Sequence, residues 1–148
     1  MAIGATVAAW GFESVVVYQA AVWAGVELSE ENHREVAKPV LVEAAVLALK
    51  AAHGLTHKDV KKIRLASYKA GLDIIDNATP EGEYQAKFSI QYTVAHAMVH
   101  GSVRLNAFLP ERMNDPDVRA LMKKIDAVAD PELSKGYPGQ RAAQVEIE

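Results

Sequence analysis

The sequence predicts an α+β fold: a two-layer sandwich of helices on a mostly antiparallel sheet, truncated at the last strand. Three observations carry this. Apolar residues recur at helical spacing from Ala86 to Gly101, and side-chain character alternates with strand period from Val60 to Tyr68. Two further short strand candidates, Ala127–Ala129 and Gln144–Ile147, flank a loop rich in Gly and Pro. With 148 residues, half of them hydrophobic (50%) and 24% charged, the chain is long enough to bury one core of its own.

Residues 1–35 stand apart as an unassigned apolar segment. Between Ala2 and Leu28 the charged residues are Glu13 and Glu27, and no Lys or Arg occurs before Arg34, so the basic start of a signal peptide is missing. Glu13 and Gln19 interrupt the run through Trp23 well short of the ~20 apolar residues that span a bilayer, which predicts no membrane partner. Trp10, Gly11, Phe12, Tyr18 and Trp23 read instead as a surface covered by the rest of the domain or by a partner, a second copy included. A net charge of −3 argues against general nucleic-acid binding. The absence of cysteine removes disulfides and thiolate chemistry, which fits a cytoplasmic protein.

From residue 36 the elements follow in order. Pro39 opens an Ala- and Leu-rich helix that ends near Gly54. Thr56 to Asp59 reads as a short capped turn, leading to a half-buried strand in which Ile63, Leu65 and Ser67 alternate with Arg64, Ala66 and Tyr68. Residues 76–85 form a polar loop. One helix then runs from Ala86 to a left-handed stop at Gly101, with Lys87, Ser89, Gln91 and Tyr92 clustered at its start. Backbone N–H groups and the helix dipole make that start suitable for an anion, while pattern alone reads the element as an amphipathic helix with a solvated polar face. Asp115 caps a helix begun by Pro116, with Val118, Leu121, Met122 and Ile125 on its apolar side.

Other chemistry is thinly supported. His96 and His100 stand four apart on one helix face, but a metal site needs a third ligand and no HExxH pattern supplies a base, so no metal and no cofactor is expected. Lys58, Lys61, Lys62, Arg64 and Lys69 form a basic run that reads as a solvated face or as an attractor of anionic substrate. Ser89 lies in no nucleophile elbow, and no phosphate-cradling glycine loop occurs.

An ordered set of segments resembles the MmgE/PrpD family: Val42-Glu43-Ala44-Ala45, His53 to Ile63, Ile74-Ile75-Asp76, Ala86 to Ala95, and Asp130-Pro131-Glu132-Leu133. The family includes 2-methylcitrate dehydratase, cis-aconitate decarboxylase and iminodisuccinate epimerase. The resemblance covers about residues 38–148 and implies that residues 36–148 are the smaller α+β domain, in part, of proteins that also carry a large all-helical domain. It implies chemistry on small polycarboxylates without metal or nucleotide. A dehydratase needs a base for the proton beside a carboxylate, an acid for the departing hydroxyl, and cations for the carboxylates. The resemblance places most of those groups on the helical domain.

By the same resemblance Tyr92 is the catalytic candidate, as hydrogen-bond donor or proton carrier, with Lys87 and Ser89 as carboxylate contacts. Lys38 stands for the family lysine only with a shifted spacing. Family members carry a His near the positions held here by Ala37, Lys38 and Pro39, and His33 is displaced too far to replace it. The alternative for Tyr92 is a core tyrosine with a satisfied hydroxyl. The chain as a whole is then expected to be inactive alone, either as one piece of a split lyase or epimerase completed by a helical-domain chain, or as a non-catalytic remnant or polycarboxylate-binding module.

Overall fold

The computed structural model describes residues 3–10 and 37–148. A four-stranded mixed sheet is built from β1 (Ile3–Trp10), β2 (Ile63–Ser67), β3 (Ile125–Ala129) and β4 (Gln140–Ile147), in the spatial order β1-β4-β2-β3. β4 pairs antiparallel with β1 (Ile3 opposite Ile147) and with β2 (Ile63 opposite Ile147), whereas β2 and β3 are parallel (Ile63 opposite Ile125). The α+β reading therefore holds, with antiparallel pairing predominant.

The parallel pair dictates the rest, because such strands need a crossover connection. Between β2 and β3 the chain makes α2 (Lys69–Ile75), α3 (Glu83–Lys87), α4 (Ile90–His100), a 3-10 turn (Leu105–Phe108), α5 (Pro110–Met113) and α6 (Pro116–Met122). α1 (Ala37–His53) precedes β2, and α7 (Pro131–Gly136) links β3 to β4. α1 packs on β1, β4 and α4, and α4 packs on β3 and α6, so a pair of helices covers the sheet. Val46, Ile63, Leu65, Ile90, Val94, Met98, Val118 and Val145 meet in the core with almost no exposure. Truncating one of them, Leu65→Ala for example, costs about 2–5 kcal/mol of stability.

Local chemistry sets the expected boundaries. Gly54 ends α1 at φ 62°, and Gly101 ends α4 at φ 78° with its N–H on the Ala97 carbonyl at 2.8 Å. Asp59 Oδ2 accepts from the Thr56 N–H (2.8 Å) and hydroxyl (2.7 Å), which makes the anticipated turn. Asp115 Oδ1 accepts from the Asp117 N–H at 2.9 Å and so caps α6.

Four readings change. First, residues 86–101 are not one helix: α3 ends at Lys87, and Ser89 starts α4 as its N-cap. Second, α4 has no solvated polar face, since Ile90 to Met98 are all buried, Gln91, Thr93 and His96 included, because α1, α3 and α6 enclose it along with the sheet. Third, Ile125 opens β3 rather than closing α6, and β2 is buried at Ala66 as well as at Ile63 and Leu65. Fourth, the start of the apolar N-terminal segment is an edge strand, β1. The aromatic surface expected at Phe12, Tyr18 and Trp23 lies outside the described residues.

Candidate functional site

The break at Ser89 organises the candidate site. Ser89 Oγ accepts the Tyr92 N–H at 3.0 Å and donates to the Asn77 carbonyl at 2.5 Å, so the loop before α3 is pinned to the first turn of α4. Its hydroxyl is thereby used on both sides, and one of the orphan N–H groups at the helix start is already satisfied. Lys87, at the end of α3, is exposed, ion-paired with Glu83 at 2.7 Å and 5.7 Å from the centre of the Phe108 ring. Lys38 falls in the first turn of α1, and its side chain lies outside the described residues.

Tyr92 is fully buried, and its hydroxyl donates to the Ala107 carbonyl in the 3-10 turn. Burial pushes its pKa up to about 12, so at neutral pH the phenol is a donor and not a base. Its ring lies 6.0 Å from Phe108 on one side and 5.9 Å from His96 on the other, and the His96 and His100 rings are 4.5 Å apart. Tyr92, His96 and His100, each four residues from the next, thus form one aromatic stripe along α4.

The two histidines have different partners. His96 Nδ1 donates to the Ser102 carbonyl at 2.8 Å, leaving Nε2 as a buried acceptor with no partner. Burial lowers the His96 pKa to about 4, so the ring is neutral at physiological pH. His100 Nε2 donates to Asp115 Oδ2 at 2.9 Å, and Arg112 donates to His100 Nδ1 at 2.9 Å, which holds the ring between a carboxylate and a guanidinium. That guanidinium opposes a cation at His100. Among the described residues no group of three or more His, Asp or Glu side chains is placed to hold a metal ion.

α4 carries further polar groups on either side of that stripe. Gln91 Nε2 donates to Asp76 Oδ1 at 2.6 Å. Glu43, on α1, is 2% exposed and hydrogen-bonds with the Thr93 side chain, and burial raises its pKa to about 7. In the sequence Glu43 belongs to the family-like segment Val42-Glu43-Ala44-Ala45 and carries no assigned role. Its one signal was a carboxylate inside the otherwise apolar stretch from Val42 to Leu49. The basic run does not converge on this region: Lys62 pairs with Asp126 (3.4 Å), Arg64 with Glu146 (3.9 Å) and Lys69 with Asp73 (2.6 Å).

Residues 40–148 match the family model of the MmgE/PrpD C-terminal domain. The chain belongs to the MmgE/PrpD family. Its relatives include a protein of Saccharomyces cerevisiae named "Probable 2-methylcitrate dehydratase", 32% identical over 99 residues, which are 65% of this chain and 19% of the relative. A Yarrowia lipolytica protein named "2-methylcitrate dehydratase, mitochondrial" is 32% identical over 85 residues, 57% of this chain and 16% of that protein. The mouse "Cis-aconitate decarboxylase" is 29% identical over 58 residues, 39% of this chain and 12% of the enzyme. The chain therefore aligns with about a fifth or less of the length of these MmgE/PrpD proteins. Among the described residues no helix is long and apolar enough to cross a membrane.

Proposed function

We propose that this chain is the C-terminal-domain part of a polycarboxylate lyase related to 2-methylcitrate dehydratase, inactive without the part of its relatives that it does not match. The family match supports the class of chemistry. One observation carries the second half of the reading: the Tyr92 and Ser89 hydroxyls, which the family resemblance aims at substrate, are buried and bonded to the Ala107 and Asn77 carbonyls. Lys87, an exposed cation among the candidates, is paired with Glu83. A site that eliminates water beside a carboxylate must hold several negative charges and aim an acid and a base at once. Among the described residues the chain offers Tyr92 as donor and little else toward that demand. The Tyr92 hydroxyl reaches a substrate only after leaving the Ala107 carbonyl.

Calorimetry tests this reading. Citrate, as a non-reacting tricarboxylate, is expected to give no heat with the lone chain and saturable binding with the chain co-purified with the remaining part of the Saccharomyces cerevisiae relative. Saturable binding to the lone chain would instead identify a polycarboxylate-binding module.

A further inference from the structure

We propose that the open edge of β3 is where two copies of this chain pair, β3 against β3 antiparallel, about a two-fold axis at Ala127. β3 is a terminal strand of the sheet, and among the described residues no strand pairs with its outer side. The Ile63 N–H donates to the Lys124 carbonyl and the Asp130 N–H to the Ser67 carbonyl, both at 2.9 Å. Peptide groups alternate sides along a strand, so Asp126 and Val128 also bond toward β2, while Ile125, Ala127 and Ala129 turn their N–H and C=O groups outward. Such an edge is usually guarded by a bulge, a proline, a lysine or an inward-pointing charge. β3 has none of these: its register with β2 is unbroken from Ile125 to Ala129. Its one charge, Asp126, falls on the face away from Ala127 and is ion-paired with Lys62 at 3.4 Å.

Register, side chains and charge make a second copy the occupant. An axis at Ala127 sets Ala127 opposite itself and Ile125 opposite Ala129, so every outward group meets an outward group and about six backbone hydrogen bonds close the pair. The facing side chains are Ile and Ala on one side of the sheet and Asp126 with Val128 on the other, so no like charges are directly opposed. α2 supplies the charge complementarity. Lys69, Leu72, Asp73 and Asp76 line a groove of about 290 Å³ together with Ala127 and Ala129, so α2 borders the edge. A two-fold axis across that edge runs α2 antiparallel to its copy, with Lys69 of each toward Asp73 of the other. The Lys69 and Asp73 side chains are 69% and 57% exposed and pair at 2.6 Å within the chain, so the same two groups are free to exchange partners across the axis.

The test is sedimentation equilibrium of the full chain over a range of concentration, with amide hydrogen exchange resolved within residues 125–129. A monomer–dimer equilibrium is expected, with exchange at the Ala127 and Ala129 amides slowing as the dimer fills. Ala127→Pro removes an outward N–H that the sheet does not use, and should weaken the dimer roughly ten-fold or more. Asp73→Lys and Lys69→Asp each set like charges across the axis and should weaken self-association to a similar degree, whereas the two variants mixed should form a heterodimer. That rescue separates pairing from folding, because each variant carries like charges within its own α2. Leu105→Asp, at a side chain 71% exposed on the 3-10 turn, should leave the dimer unchanged. A monomer at every concentration would overturn the proposal, as would a mixture that gives no heterodimer. So would a dimer that Leu105→Asp dissociates and the β3 and α2 variants do not, or one in which the Ala127 amide exchanges as fast as in the monomer.

Discussion

Tyr92 on α4 and Ala107 in the 3-10 turn are joined by a hydrogen bond from a fully buried phenol to a backbone carbonyl. The bond ties the central helix to the segment that carries the exposed Leu105 and Leu109. Tyr92→Phe keeps the ring and its packing but leaves the Ala107 carbonyl without this donor. Loss of about 1–3 kcal/mol in urea denaturation is expected, the penalty of an unsatisfied buried polar group. An unchanged midpoint would mean that the bond contributes nothing to folding.

Glu43 makes the fold more stable in acid. Its pKa rises from 4.5 to about 7 on folding, so its favourable contribution is complete below about 4.5 and is lost as pH rises through 7. The full effect is about 3 kcal/mol. Glu43→Gln removes the ionisation, and the variant should exceed the wild type in stability at pH 8 by more than it does at pH 5. Denaturant midpoints at the two pH values check this, and parallel shifts would contradict it.

His96 acts in the opposite sense over an overlapping window. Its pKa falls from 6.5 to about 4, so its contribution is complete above 6.5 and is lost as pH falls to about 4. The wild-type chain should therefore show a flattened pH dependence between these limits. Glu43→Gln unmasks the acid loss due to His96, and His96→Gln unmasks the acid gain due to Glu43. Stability profiles of the two variants that slope the same way would refute the pairing.

Asp115 serves two elements at once, capping α6 through Oδ1 and accepting from His100 through Oδ2. Burial works against its charge, but the Asp117 and Val118 N–H groups and His100 outweigh it and hold the carboxyl below the usual range. Asp115→Ala should cost about 1–2 kcal/mol, and Asp115→Asn, which keeps a capping oxygen, less. Equal losses would show that the charge toward His100, rather than the cap, is what matters.

What the sequence reveals depends on how local the cause is. Gly54, Gly101, Asp115 and Pro116 end or start helices through their own backbone chemistry, and each is legible where it stands. The break at Ser89 is not, because Ala86 to Gly101 keeps a helical period throughout. The Ser89 side chain competes for the Tyr92 N–H while bonding to Asn77, a residue in a different segment. The burial of Gln91, Thr93 and His96 arises from helices contributed by distant stretches, as does the place of β1 beside β4 at the other end of the chain. Tyr92 is a candidate through family resemblance alone. Its partner Ala107 and the stripe through His96 to His100 required the fold.

The most direct test is turnover of 2-methylcitrate by the lone chain and by the same chain co-purified with the remaining part of the Saccharomyces cerevisiae relative. No loss of substrate with the lone chain and measurable dehydration by the complex is the expected result. Dehydration by the lone chain, or a stable complex that turns nothing over, would contradict it.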